Sequence, residues 1–139
     1  MTELDKIRER FQGDRFATEA AGIEIKEARP QYALCEMEIK PVHRNARNAV
    51  MGGAIFTLAD FTAAVAANGA EENPSTVTLH AGITFLSAAK GSRLIGEAKC
   101  IKAGRTTSLY EVTVTDELGT QVACGQLNGF TVNGTGKSR

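Results

Sequence analysis

Hydrophobic positions change their spacing several times along the 139-residue chain, and each change predicts an element. Leu4, Ile7, Arg8 and Phe11 fall at helical intervals in the charged stretch 1–15, and Gln12-Gly13 closes that short amphipathic helix. Period-2 alternation then predicts two strands, Ala20–Ala28 and Gln31–Ile39, joined by a turn at Arg29-Pro30. Residues 41–50, PVHRNARNAV, are polar and predict a loop. The stretch Met51–Gly69, MGGAIFTLADFTAAVAANG, reads as a helix apolar on nearly every face, started by Gly52-Gly53 and stopped by Asn68-Gly69. After the loop GAEENPS come four strands, Thr76–Leu86, Ser92–Ala103, Thr106–Asp116 and Gln121–Val132, separated by turn chemistry at 89–91, 102–105 and 116–119. The tail 133–139 reads as frayed. Helix, two strands, buried helix, four strands: an antiparallel sheet wrapped about one apolar helix satisfies this order as a single α+β domain over 1–139.

One residue disturbs the pattern. Asp60 is the only charge between Met51 and Gly69, and a lone carboxylate in an apolar helix needs a partner or a task.

Composition narrows the tasks. Sixteen basic and sixteen acidic residues balance, which gives no broad electrostatic grip on nucleic acid or membrane. The charged N-terminus is unlike a secretory signal, and no run of 18 uncharged apolar residues occurs, so a membrane span is not expected. Cys35, Cys100 and Cys124 are odd in number and lack a CxxC pair. They are expected as reduced core thiols in a cytoplasmic protein, with no disulfide framework and no metal site.

His43-Arg-Asn45, Val50-Met51-Gly52-Gly53 and Leu58-Ala59-Asp60, in that order and spacing, resemble the H-x-N…HGG…LxD signature of hotdog-fold acyl-CoA thioesterases, above all the PaaI-type group. Ile83–Leu86 resembles that group's NFL strand and Lys102–Thr106 its basic turn. The similarity spans roughly residues 22 to 131. It implies a hotdog fold that assembles as a dimer or dimer of dimers, with sites at the subunit interface. It also implies hydrolysis of acyl-CoA thioesters with no metal and no cofactor beyond the coenzyme A of the substrate. By position, Asp60 is the carboxylate acting as base or nucleophile, Gly53 with Gly52 is the helix start that polarises the thioester carbonyl, and Asn45 is the loop Asn beside the site. Two positions depart: Met51 stands where the group has the His of HGG, and Asn48 where it has Gly. Met51 has no side-chain donor.

Elementary chemistry asks for the same groups. Thioester hydrolysis needs a base or nucleophile and donors for the carbonyl oxygen. A helix N-terminus supplies unpartnered N–H groups, and glycines let a ligand approach them. An apolar cleft makes a carboxylate a better base than water does. Asp60 lies seven residues beyond Gly53, roughly 10 Å along the axis at about 1.5 Å per residue. One helix cannot place both groups on one carbonyl, whereas two antiparallel copies can, which predicts an obligate dimer. Met51, His43, Asn48, Thr78 and His80 are candidate substrate contacts, and Lys102 and Arg105 suit the phosphates of coenzyme A. The plainer alternatives are a loop histidine, a surface histidine, strand threonines and solvated turn cations. Phe56, Phe61, Val65, Phe85 and Leu86 are candidate walls of an acyl pocket.

Two other functions compete. A hotdog hydratase would carry a His–carboxylate pair, commonly D-x-N-x-x-H, and no such run occurs. A non-catalytic acyl-CoA binding protein on the same fold is the second, with Met51 as its best support.

Overall fold

A computed structural model describes residues 1–70 and 75–132; most of the loop after the long helix and the tail expected to fray lie outside the described residues. Helix α1 spans Glu3–Phe11 and opens on a capping box, in which the Asp5 amide donates to Thr2 Oγ1 at 3.0 Å and the Thr2 amide to Asp5 Oδ2 at 3.1 Å. Its inner face is Ile7 and Phe11, and the Phe11 ring meets Phe61 edge-on at 5.7 Å. Arg8 Nε donates to the Ile25 carbonyl at 2.8 Å and Arg10 Nη2 to that of Gly69, so the helix is tied down at two places.

The first strand does not begin at Ala20. Phe16–Ala20 forms a single π-turn, closed by the Ala21 amide on the Phe16 carbonyl at 2.9 Å. Ala17 and Ala21 are buried inside it, and Gly22 at φ +77° turns the chain into β1, Ile23–Arg29. The apolar residues before Gly22 therefore belong to a turn that packs like a helix, not to a strand.

The other elements are β2 (Tyr32–Glu38), α2 (Gly52–Asn68), β3 (Thr76–Phe85), β4 (Arg93–Ala103), β5 (Thr107–Asp116) and β6 (Gln121–Thr131). All pair antiparallel in the order β1-β2-β4-β5-β6-β3. Helix α2 lies in the curve of this sheet, with Leu58, Thr62 and Val65 fully buried against Ala33, Cys35, Met37, Leu94, Ala98, Val112 and Val114. It approaches β4 so closely at Gly96 that a Cβ there would lie 2.8 Å from Thr62 Oγ1. The expected glycine stop of α2 takes a different form. Gly69 stays in the right-handed region at φ −59°, and Asn68 does the capping: its Nδ2 donates to the Ala64 and Thr76 carbonyls while its Oδ1 accepts from the Ser75 and Thr76 amides. One side chain thus fixes where β3 starts relative to the helix.

Asp116 and Glu117 hold the opposite end of the sheet. Asp116 accepts from the amides of Lys90, Gly91, Leu118 and Thr120, and Glu117 from those of Ser92 and Arg93. Burial pushes the Asp116 carboxyl up, but the amides of Lys90, Thr120 and Gly91 outweigh it and hold the group well below the usual carboxylate range. The Ser92 amide and hydroxyl hold Glu117 down at about 2. Among the described residues no helix is long and apolar enough to cross a membrane.

Candidate active site

The loop before α2 is built by its own polar residues. His43 is buried, accepting at Nδ1 from the Lys40 amide at 3.0 Å, which leaves Nε2 as the donor to the Ala21 carbonyl at 2.8 Å. Both ring nitrogens are therefore spent on backbone, and the neutral ring joins the N-terminal turn to the loop. Asn45 Oδ1 accepts from the amides of Arg47 and Ala49 at 3.0 and 3.2 Å; its Nδ2 has no partner among the described residues. Asn48 sits at φ +62°, which explains why Asn stands where the related signature has Gly: both tolerate the left-handed region.

This loop delivers Met51 to the N-cap of α2, where its side chain makes no capping bond and its carbonyl accepts from the Ala54 and Ile55 amides. The amides of Gly52 and Gly53 lead the helix without an intrahelical acceptor. The two glycines differ in purpose. A Cβ on Gly52 would press on the Phe85 ring at 3.1 Å, so this glycine lets β3 cross the helix start. A Cβ on Gly53 would meet only Met51 Cε, at 3.4 Å. Nothing among the described residues demands glycine there.

Asp60 is half-buried on the flank of α2. Its Oδ1 accepts from Thr78 Oγ1 of β3 at 3.1 Å, and Oδ2 is unengaged among the described residues. Together with Phe56, Thr57, Phe61 and Ala64 it forms one stripe of the helix that lines an open cleft of about 400 Å³. The other wall is Asp14–Ala17, from the turn after α1. Burial and then the charge of Asp60 raise the Asp14 carboxyl above its ordinary value. Thr57, one turn before Asp60, bonds back to the Gly53 carbonyl at 2.8 Å.

The structure thus brings Asp60, Thr78, Phe56 and Phe61 together, with Asp14, Arg15 and Phe16 as additions that sequence reasoning did not select. Gly52 lies elsewhere, in a second cleft of about 350 Å³ with Phe85 and Leu86. Val65 is core and lines neither. His80 is exposed on β3, just past the bulge between Thr78 and His80. Lys102 and Arg105 are exposed at the β4–β5 connection and do not line the Asp60 cleft. Strand β3 is an edge of the sheet, and Val77, Leu79 and Phe85 on it are exposed, as are Met51, Phe56 and Leu86 near it.

A six-stranded antiparallel sheet wrapped on one helix, with a carboxylate on the flank of that helix, is the hotdog arrangement. A profile of the thioesterase superfamily matches residues 48–123, more than half the chain, and the chain belongs to that family. A relative from Archaeoglobus fulgidus, a candidate esterase, is 34% identical over 110 residues, 78% of this chain and 70% of the relative. Human acyl-coenzyme A thioesterase 13 is 30% identical over 96 residues, 68% of this chain and 69% of the relative. Among solved structures, a point mutant of the phenylacetic acid degradation protein PaaI from Thermus thermophilus superposes with a TM-score of 0.75 at 25% identity, covering 83% of this chain and 97% of that one. The smu.793 protein of Streptococcus mutans, solved with acetyl CoA bound, gives 0.70 at 26% identity over 79% of this chain and 88% of that one.

Proposed function

We propose that this protein hydrolyses acyl-CoA thioesters in a homodimer, with Asp60 of one subunit and the Gly53 amide of the other acting on the same carbonyl. The observation that carries this is the Asp60 carboxylate, oriented by a single hydroxyl at 3.1 Å and otherwise open to a cleft of about 400 Å³, in a chain of the thioesterase superfamily. Asp60 takes a proton from water as the water oxygen bonds to the carbonyl carbon, and the carbonyl oxygen gains charge at the Gly53 amide. The C–S bond then breaks and the thiolate takes up a proton, leaving free acid and coenzyme A. Direct attack by Asp60, through a mixed anhydride that water opens, uses the same geometry. By its position in the signature Asn45, whose Nδ2 has no partner among the described residues, is assigned as a further donor, although it does not line the Asp60 cleft of one subunit.

Two observations support the dimer. Asp60 and Gly53 stand seven residues apart on α2, roughly 10 Å along its axis, and Gly53 does not line the Asp60 cleft, so a single subunit does not surround a carbonyl with both groups. An exposed apolar edge strand such as β3 is also a surface that natural sheets cover. Acetyl CoA bound to the S. mutans protein supports the ligand class.

The test follows thiol release from a panel of acyl-CoAs by wild type and Asp60→Asn. A fall of about a hundredfold or more in a folded dimeric variant is the expected result. Equal rates in both would overturn the assignment. Met51, which lies over Gly53 where the related signature carries His, favours one second reading, an acyl-CoA binding protein without turnover. Tight binding with no thiol release in either protein would establish it.

A further inference from the structure

Asp14 lines the Asp60 cleft with a carboxylate that has no place in the chemistry above. Its backbone carbonyl caps Thr18, but among the described residues no hydrogen bond or ion pair reaches its carboxylate. The neighbouring cation does not neutralise it: Arg15 is held by Glu19, through Nε to Oε2 and Nη2 to Oε1 at 3.1 Å. The segment carrying Asp14 is nevertheless fixed. Phe11 before it is packed on Phe61, and Ala17 after it is buried. Asp14 shares the cleft with Asp60; the rest of the lining is Thr57, Arg15, whose charge is already paired with Glu19, and five apolar residues, so the unpaired charges that an entering group meets are both negative.

We propose that Asp14 is a specificity residue, selecting uncharged acyl groups and rejecting those that end in a carboxylate. This rests on the reading of the Asp60 cleft as the acyl site. A third carboxylate in that space meets two like charges, while a neutral chain of equal length meets apolar walls. The upward displacement of the Asp14 carboxyl by burial and by Asp60 agrees with a cleft that resists further negative charge. For partly exposed charges several Å apart, one such repulsion is worth about a threefold to tenfold factor. The nucleotide charges of coenzyme A are common to both substrate types and cancel in the comparison.

The test uses two non-hydrolysable thioethers, S-butyl-CoA and S-(3-carboxypropyl)-CoA, titrated calorimetrically into full-length wild type, Asp14→Asn and Asp14→Lys at pH 8 and low salt. Wild type is expected to bind the butyl probe more tightly. Asp14→Asn narrows that preference about threefold to tenfold, chiefly by tightening the carboxylate probe, Asp14→Lys narrows it further, and 0.5 M salt shrinks the differences. A preference that is the same in all three proteins would overturn the proposal, as would equal weakening of both probes, the mark of a structural role. Thiol release from butyryl-CoA and succinyl-CoA runs alongside. Failure of wild type to release thiol from any acyl-CoA counts against hydrolysis alone, because the binding ratio reports on Asp14 whether or not turnover occurs.

Discussion

Replacing Thr78 by Val tests whether the one side chain bonded to Asp60 among the described residues acts in the chemistry. Val keeps the β-branched shape that suits strand β3 and removes only the hydroxyl that donates to Asp60 Oδ1 at 3.1 Å. Hydrogen bonds to charged groups contribute about 1.5–3 kcal/mol, and a half-buried carboxylate belongs at the lower end, about 1.5 kcal/mol. At about 1.4 kcal/mol per decade, kcat/KM should fall roughly tenfold. The loss should appear in kcat, because an ill-oriented carboxylate still lets substrate bind. Stability should change by no more than about 0.5 kcal/mol, since Thr78 is exposed on an edge strand. The assay is thiol release under saturating and limiting acyl-CoA, repeated in an Asp60→Ala background, where the hydroxyl has no carboxylate to orient. There the Val substitution should cost nothing more. A kcat/KM within twofold of wild type, or the same tenfold loss without Asp60, would refute the orienting role.

Gly53→Ala should leave stability within about 0.5 kcal/mol, because a Cβ there finds room beside Met51, yet lower thiol release sharply by crowding the carbonyl. By contrast, Gly96→Ala should cost about 1–3 kcal/mol in urea denaturation, because its Cβ would push Thr62 and Leu58 of α2 off the sheet. Glu117→Gln should flatten the acid limb of a Tm–pH series: a folded-state value of about 2, below that of the unfolded chain, means stability that is complete above the usual carboxylate range and lost as pH falls towards 2. Leu79→Lys places a charge on the free edge of β3, and light scattering should show a shift to monomer with loss of thiol release.

Where local chemistry decides structure, the sequence was legible. Gly119 at φ +85° and the Lys102–Arg105 turn bound β5 and β6 to within a residue of the expected spans. Asp60 and Thr78 were likewise selected from a helix and a strand, and the fold brings them within one hydrogen bond. Readings failed where long-range contacts override local pattern. The strand expected over Ala20–Ala28 from the alternation at Ile23 and Ile25 begins only at Ile23, because Ala17 and Ala21 are buried by the π-turn before it. His43 looks like an available imidazole until the Lys40 amide and Ala21 carbonyl are found on its two nitrogens. Asp14 was invisible for the same reason. In QGDRF it is one more surface charge, and only the docking of Phe11 on Phe61 carries it to the cleft.

That docking also bears on why a charge stands in an apolar helix at all. Leu58, Thr62 and Val65 bury one side of α2, while Thr57, Asp60, Phe61 and Ala64 turn towards the gap between β3 and the N-terminal turn. Within one subunit Asp60 is therefore half-buried rather than driven into the core, and keeps part of its hydration. In the proposed dimer the desolvation cost, several kcal/mol for a fully buried carboxylate, would arise only when an acyl group and the second subunit close over it. A charge so placed suits a group that must be stable in the resting protein and more reactive when its site fills. A purely structural Asp would show the opposite economy, with its bonds complete before any ligand arrives, as Asp116 does with four backbone amides.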